Sequence, residues 1–242
     1  SSAMTHAIAA AARAVAAPTT DITATQPSFG PQSIECQYDE AFAAAGVAEQ
    51  VRLCERAPDA VVIACFGDPG LDAAREATDA PVLGIAEAAF HAASMVATGF
   101  SIVTTMTRTC VIAERLVQRY GFERACRGIH GTDIPVLALE AMEPSLVARI
   151  ESVARQALER DRSGAVVLGC AGMTTLAREL QSRLGVPVID GVAVAVKLAE
   201  ALAALNLRTS KRGDYAWPLP KRYTGWAADL AWPAATKGSE PG

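Results

Sequence analysis

The sequence is poor in most of what marks a metal, nucleotide or nucleic-acid site. Its three histidines, His6, His91 and His130, lie far apart, and its six cysteines include no Cys-x-x-Cys pair. The ligand spacing of a zinc centre is therefore missing, and no metal is expected. No Gly-x-Gly-x-x-Gly follows a strand pattern and no phosphate loop is present; Gly67-Asp68-Pro69-Gly70 lacks the spacing for dinucleotide binding. Basic residues do not outnumber acidic ones. Lys plus Arg is 22 against 26 for Asp plus Glu, a net charge of −4, which leaves no broad positive surface for nucleic acid. Long apolar runs are absent too: the stretch from Ile8 to Ala12 is broken by Arg13 and ends at Pro18. It reads as an Ala-rich amphipathic helix, not a signal peptide or membrane span. Without a secretory signal, the cysteines are expected to be reduced thiols in a cytoplasmic protein.

What is present is aliphatic. Half of the 242 residues are hydrophobic with few aromatics, enough for one large α/β domain or two small lobes sharing a cleft. Short β-branched runs alternate with longer Ala/Leu/Glu/Arg segments, the pattern of parallel sheet wrapped by helices. Strands are expected at Val61–Ala64, Val82–Ile85, Ser101–Thr104, Val136–Leu139, Val166–Leu168 and Val188–Ile189. Helices are expected around Asp39–Glu55, Leu71–Ala77, Glu87–Ala97, Cys110–Tyr120, Pro144–Arg160, Thr175–Leu184 and Val192–Leu205. Asp68 before Pro69 and Thr174 before Thr175-Leu176 read as helix caps. From Leu207 onward the chain is rich in Pro, Trp, Lys and Gly. That tail is expected to wrap the surface, with its last residues disordered.

The sequence also repeats itself. Asp59-Ala60-Val61-Val62-Ile63-Ala64-Cys65-Phe66-Gly67 is echoed by Gly164-Ala165-Val166-Val167-Leu168-Gly169-Cys170-Ala171-Gly172. Each cysteine is followed by a segment carrying Ala-Arg-Glu (74–76 and 177–179), then by Pro-Val (81–82 and 187–188). A generic strand–helix–strand unit reproduces the rhythm but does not put cysteine at the same strand end twice. Two homologous lobes facing each other across a pseudo-two-fold axis are expected: residues 1–97 with 206–242 as the first, and 98–205 as the second.

Ligands of open α/β sheets bind beyond the carboxyl ends of the strands, where Cys65 and Cys170 both fall. Across a pseudo-dyad, two thiols would approach one ligand from opposite faces. That geometry suits inversion of a stereocentre, one group removing a proton and the other returning one. Helix N-termini after each cysteine would favour the thiolates, whereas Asp68 would oppose ionisation of Cys65 unless spent on capping its helix. Backbone N–H groups after each cysteine could receive an enolate oxygen. A lone cysteine at a strand end is more often a core filler. That reading is kept for Cys54 and Cys126 in helix or strand, Cys110 opening a helix, and Cys36 in a loop.

These residues resemble the hydantoin and allantoin racemases of the aspartate/glutamate racemase superfamily. The resemblance is carried by Ala64-Cys65-Phe66-Gly67-Asp68-Pro69-Gly70-Leu71, Phe100-Ser101-Ile102-Val103-Thr104-Thr105, Val167-Leu168-Gly169-Cys170-Ala171-Gly172-Met173 and Pro187-Val188-Ile189-Asp190-Gly191-Val192. Gly30-Pro31, Ser33-Ile34-Glu35 and Thr209-Ser210-Lys211 also fit. It implies two pseudo-symmetric α/β lobes, two catalytic cysteines, no cofactor, a small cyclic ureide as substrate and a homo-oligomer. Phe66, Gly67, Ala171 and Gly172 would line the pocket. Thr104 and Thr105 would hydrogen-bond substrate, and a loop holding Pro31, Ser33 and Tyr38 would close over it. The sequence around Phe66-Gly67-Asp68 and Gly84-Ile85-Ala86-Glu87-Ala88 leans toward the allantoin version.

Two departures stand out. Amino-acid racemases of the superfamily carry Thr-His after the second cysteine, where this chain has Ala171-Gly172-Met173, which favours a neutral ring. Relatives also open with an apolar strand ending in Asn-Pro-Asn-Thr, whereas this chain opens at Ser1-Ser2-Ala3-Met4-Thr5. The first lobe is therefore expected to lack one interior strand. Two rival readings stay open: an arylmalonate-type decarboxylase, needing one protonating cysteine, and a ureide-binding or redox-sensing protein whose two cysteines form a switchable disulfide.

Overall fold

The computed structural model describes residues 1–233. Two parallel sheets organise it. In the first, β1 (Val61–Ile63) pairs with β2 (Val82–Gly84). In the second, β3 (Phe100–Thr104), β4 (Cys126–Gly131), β5 (Ala165–Leu168) and β6 (Val188–Ile189) run in the order β4-β3-β5-β6. Every residue of β3 and β5 is buried, as central strands covered on both faces must be.

Parallel neighbours need crossovers, and helices supply them. α1 (Ser2–Val15) is the Ala-rich segment, with Ala9 and Ala12 on its buried side. It is followed by α2 (Gln37–Arg52), α3 (Leu71–Ala77) and α4 (Ile85–Val96). The second half carries α5 (Cys110–Arg119), α6 (Pro144–Asp161), α7 (Ala177–Leu184) and α8 (Gly191–Ala204). The unit β1-α3-β2-α4 is thus repeated as β5-α7-β6-α8, as the sequence repeat requires.

The two units exchange helices. α4, which follows the first sheet, packs on β5 and β6, while α8, which follows the second, packs on β1 and β2. The two helices also pack on each other. Their N-terminal ends meet so closely that a Cβ at Gly191 would collide with the Ile85 carbonyl oxygen. One apolar core consequently runs through both halves. The scarce aromatics gather in it: Phe66, Phe100, Tyr120 and Phe122 surround Phe90 with ring centroids 5.5 to 6.1 Å away. A second core lies under α6 and α7, around Ile150, Ala154, Met173 and Leu180.

Three expectations need correction. The apolar run at 136–139 is not a strand but a 3-10 helix, Val136–Glu140. Its buried residues, Val136 and Leu139, stand three apart, one turn of that helix, and Pro135 precedes them. The strand that pairs with β3 is instead β4, Cys-Arg-Gly-Ile-His-Gly, which carries little β-propensity. It lies at an edge, and its Gly128 leaves room for the Asp161 carboxyl, which accepts hydrogen bonds from Ser101 at 2.6 Å and contacts His130 at 2.6 Å. Last, neither Asp68 nor Thr174 caps the helix that follows it. Gly70, in the left-handed region at φ +69, precedes α3, and a 3-10 turn over Ala171–Leu176 leads into α7.

The segment 20–27, between α1 and α2, forms no strand, and the first sheet has two strands among the described residues. The tail beyond Leu207 lies along α3. Thr209 bonds Asp79 and Ala80 carbonyls at 2.7 Å each, and the Lys211 ammonium donates to the carbonyls of Arg75 and Glu76 at the C-terminal end of α3. The chain's last residues, expected to be disordered, lie outside the described ones. No described helix is long and apolar enough to cross a membrane.

Candidate active site

Cys65 and Cys170 occupy equivalent turns. Each follows the end of a parallel strand, and each accepts a turn-closing hydrogen bond at its carbonyl from the residue three further on: Asp68 at 3.0 Å and Met173 at 3.0 Å. Both sulfurs are free thiols and both residues are partly solvent-accessible. They are near enough to feel each other. Burial pushes the Cys65 thiol up to about 12, with the Gly67 N–H pulling it down and the charges of Cys170, Asp68 and Glu40 adding to the rise. The Cys170 thiol is pushed up to about 11 by burial, eased by the Gly172 N–H and raised by the Glu35 carboxylate. A charge on Cys170 opposes ionisation of Cys65.

Around the thiols the other expected residues divide. Gly67 and Gly172 contribute the N–H groups just described, and both sit at close quarters. A Cβ on Gly67 would lie 3.4 Å from Glu40 Oε1, and one on Gly172 would lie 3.1 Å from Leu139 and 3.3 Å from Met4. The Phe66 ring turns into the aromatic core, edge-on to Phe90, and Ala171 is buried. Thr104 is buried with its hydroxyl donated to the Gly169 carbonyl at 2.8 Å, which ties the end of β3 to the residue before Cys170. Thr105 is buried as well, and its carbonyl accepts from the Thr132 and Asp133 N–H groups. Pro31 is exposed and Ser33 half-buried on the segment leading into α2, and Tyr38, the second residue of that helix, is exposed.

Two carboxylates at this site were not singled out from sequence. Glu35 is held by the Val136 N–H at 2.7 Å and faces Cys170; Glu40, on the first turn of α2, faces Cys65. Burial raises Glu40 above its ordinary range, with Arg115 opposing. The one sequence signal for them is their place beside the Gly30–Glu35 segment, five residues apart across a helix start.

The lobes anchor their thiol turns by one chemical device placed in two ways. In the second half Asp190 is the N-cap of α8 and its carboxylate accepts from Val192 N at 3.0 Å and Ala193 N at 3.3 Å. Thr174, on the Cys170 turn, donates its hydroxyl to the same carboxylate. In the first half the N-cap of α4 is Gly84, which has no side chain to offer. The carboxylate comes from Asp68, on the Cys65 turn. It accepts from Ala86 N and Glu87 N at 3.0 Å each, and from the Tyr120 hydroxyl at 2.9 Å. Burial raises Asp68 to about 7 against the pull of these donors.

Repeated parallel strand–helix units, with a cysteine after each equivalent strand, define an α/β protein of parallel sheets flanked by helices. The chain belongs to the Asp/Glu/Hydantoin racemase family, whose model matches residues 1–199. It is 44% identical to a hydantoin racemase of Pseudomonas sp. strain NS671, covering 92% of this chain and 90% of that protein. The structure of an allantoin racemase from Klebsiella pneumoniae is 55% identical and superposes with a TM-score of 0.91, covering 95% of this chain and 94% of that one. Unliganded arylmalonate decarboxylase shares the fold, with a TM-score of 0.55 at 22% identity over 77% of this chain and 83% of its own.

Proposed function

We propose that the protein racemises a small cyclic ureide, allantoin in preference to a 5-substituted hydantoin, by moving a carbon-bound proton between Cys65 and Cys170. The observation that carries the reading is the pair of thiols on matched turns of two repeated units, with the charge of Cys170 bearing on Cys65. One thiolate takes the ring C5 proton and becomes a thiol. The electron pair moves onto the neighbouring carbonyl oxygen, and the opposite thiol returns a proton to the other face and becomes a thiolate. Atoms balance, and the protein ends each turnover with its proton on the other sulfur. Mutual repulsion favours this state of one thiol and one thiolate over two thiolates. The choice of ring follows the Klebsiella allantoin racemase, 55% identical, over the hydantoin racemases at 44–46%, although the allantoin racemase of Pseudomonas fluorescens is 36% identical. Decarboxylation of the arylmalonate type would need only one protonating thiol and leaves Cys65 without a role.

The test follows enantiopure allantoin and a 5-substituted hydantoin in heavy water by polarimetry and proton NMR. The native protein is expected to abolish both optical rotation and the C5–H signal, faster for allantoin. Cys65→Ser and Cys170→Ser should each lose net racemisation while exchanging the C5 proton of one enantiomer only, opposite for the two variants. Retention of rotation and C5–H by the native protein with both rings would end the reading.

A further inference from the structure

The contrast between Asp68 and Asp190 points beyond the two thiols. In both halves the N–H groups of the second and third residues of the helix after the Pro-Val strand are satisfied by one carboxylate, buried in the first half and half-buried in the second. In both, a side chain on the cysteine turn takes part in that contact. The partners have changed places: carboxylate on the turn and glycine at the cap in the first half, hydroxyl on the turn and carboxylate at the cap in the second. The exchange is sterically exclusive. A Cβ at Gly84 would fall inside the Asp68 carboxyl group, so the first half holds one carboxylate or the other, not both. Asp68 itself accepts a left-handed backbone, φ +44, a conformation uncommon for a residue other than glycine, while its carboxylate holds the cap.

We propose that Asp68 is the positioning residue of the Cys65 half-site, pinning the thiol-bearing turn to the N-terminus of α4 as Thr174 and Asp190 pin the Cys170 turn to α8. Because α4 and α8 touch at Ile85 and Gly191, these two anchors fix both turns to one rigid pair of helix ends. The proposal rests on the two-thiol reading for its catalytic consequence, but not for its geometry. The groups facing Cys65 are the Cys170 thiol and the Asp68 and Glu40 carboxylates. Those facing Asp68 are the Tyr120 hydroxyl and Glu87, the latter paired with Arg75 at 2.6 Å.

The arrangement of the second half can be transplanted into the first, which makes a closed cycle of variants. Gly84 already has extended backbone, φ −83 and ψ 142, close to that of Asp190 at φ −92 and ψ 112. Asp68→Ser strips the carboxylate cap and leaves two helix N–H groups without their acceptor; serine is chosen over threonine because a β-branched residue is strained in the left-handed backbone at 68. Gly84→Asp crowds two carboxylates into one space. Together, Asp68→Ser/Gly84→Asp rebuilds a hydroxyl–carboxylate pair like that of Thr174 and Asp190. Each single variant is expected to lower the melting temperature by at least about 5 °C, and the double variant to recover most of the loss.

Catalysis and thiol labelling separate positioning from mere stability. In Asp68→Ser, the pH profile of Cys65 alkylation, read by mass spectrometry, should shift while that of Cys170 stays. The turnover number for ureide racemisation should fall about tenfold or more with little change in KM, and the double variant should restore both. A double variant no more stable than the worse single one would overturn the proposal. So would equal shifts at both cysteines, or recovered stability with turnover still lost, which would make the Asp68 carboxylate a chemical participant instead. A cycle that closes in stability and labelling, with native protein inactive on every ureide, would refute the racemase reading and leave the positioning role intact.

Discussion

Replacing Cys65 by serine should make the protein more resistant to alkali, and the size of the effect follows from the thiol's surroundings. An acid whose folded value lies above its unfolded one contributes stability below the unfolded value and loses it as pH rises through the folded one. For Cys65 that window runs from the ordinary 9.0 up to about 12, and for Cys170 from 9.0 to about 11. At pH 10 an unfolded thiol is about nine-tenths ionised while the folded ones are still protonated, which favours unfolding by ~1.4 kcal/mol per thiol. Native protein should therefore lose ~3 kcal/mol from this pair between pH 7 and pH 10, and Cys65→Ser about half as much. Urea denaturation at the two pH values, compared between native and variant, measures the difference directly. Cys126, raised to about 11, contributes equally to both proteins and cancels. Identical alkaline losses in the two proteins would show that Cys65 is not protonated by burial and would remove the electrostatic account of the site.

Other consequences are as direct. Gly191→Ala places a methyl against the Ile85 carbonyl and should cost about 1–3 kcal/mol in denaturant melts by prising α4 from α8, with loss of activity exceeding the loss of fold. Thr104→Val removes the donor to the Gly169 carbonyl and should cost about 1–3 kcal/mol while changing the alkylation rate of Cys170 more than that of Cys65. Glu35→Gln keeps an acceptor for the Val136 N–H but deletes the charge that raises Cys170, so alkylation of Cys170 should move to lower pH. An unmoved profile would refute that assignment.

The repeat, the parallel strands and the two strand-end cysteines were legible in the sequence because each rests on local pattern: apolar runs four or five residues long, then Cys, then Gly. β4 was not, because an edge strand with two glycines has no apolar alternation, and its glycines answer to Asp161 and Thr107, distant in sequence. The run at Val136 was legible as buried but not as 3-10, since four residues cannot distinguish a period of two from one of three. Asp68 shows the limit best. Its place before Pro69 satisfies the rule for a helix start, yet the helix it caps begins 17 residues later, brought to it by the crossover of α3 and β2. Glu35 and Glu40 escaped for the same reason: nothing nearby in sequence marks which thiol a carboxylate will face.

The traded helices of the two halves carry a corollary for how the molecule could be built or cut. Detached from its partner, either half would leave bare the face that borrows the other's helix, so neither is an independent folding unit, and two copies of one half would have to associate to cover it. On the two-thiol reading, the spacing of the sulfurs is governed by how near two helix ends can lie, not by the stretch of chain joining the halves. Lengthening that connection around Ala97–Gly99 should leave the separation of the sulfurs as it is.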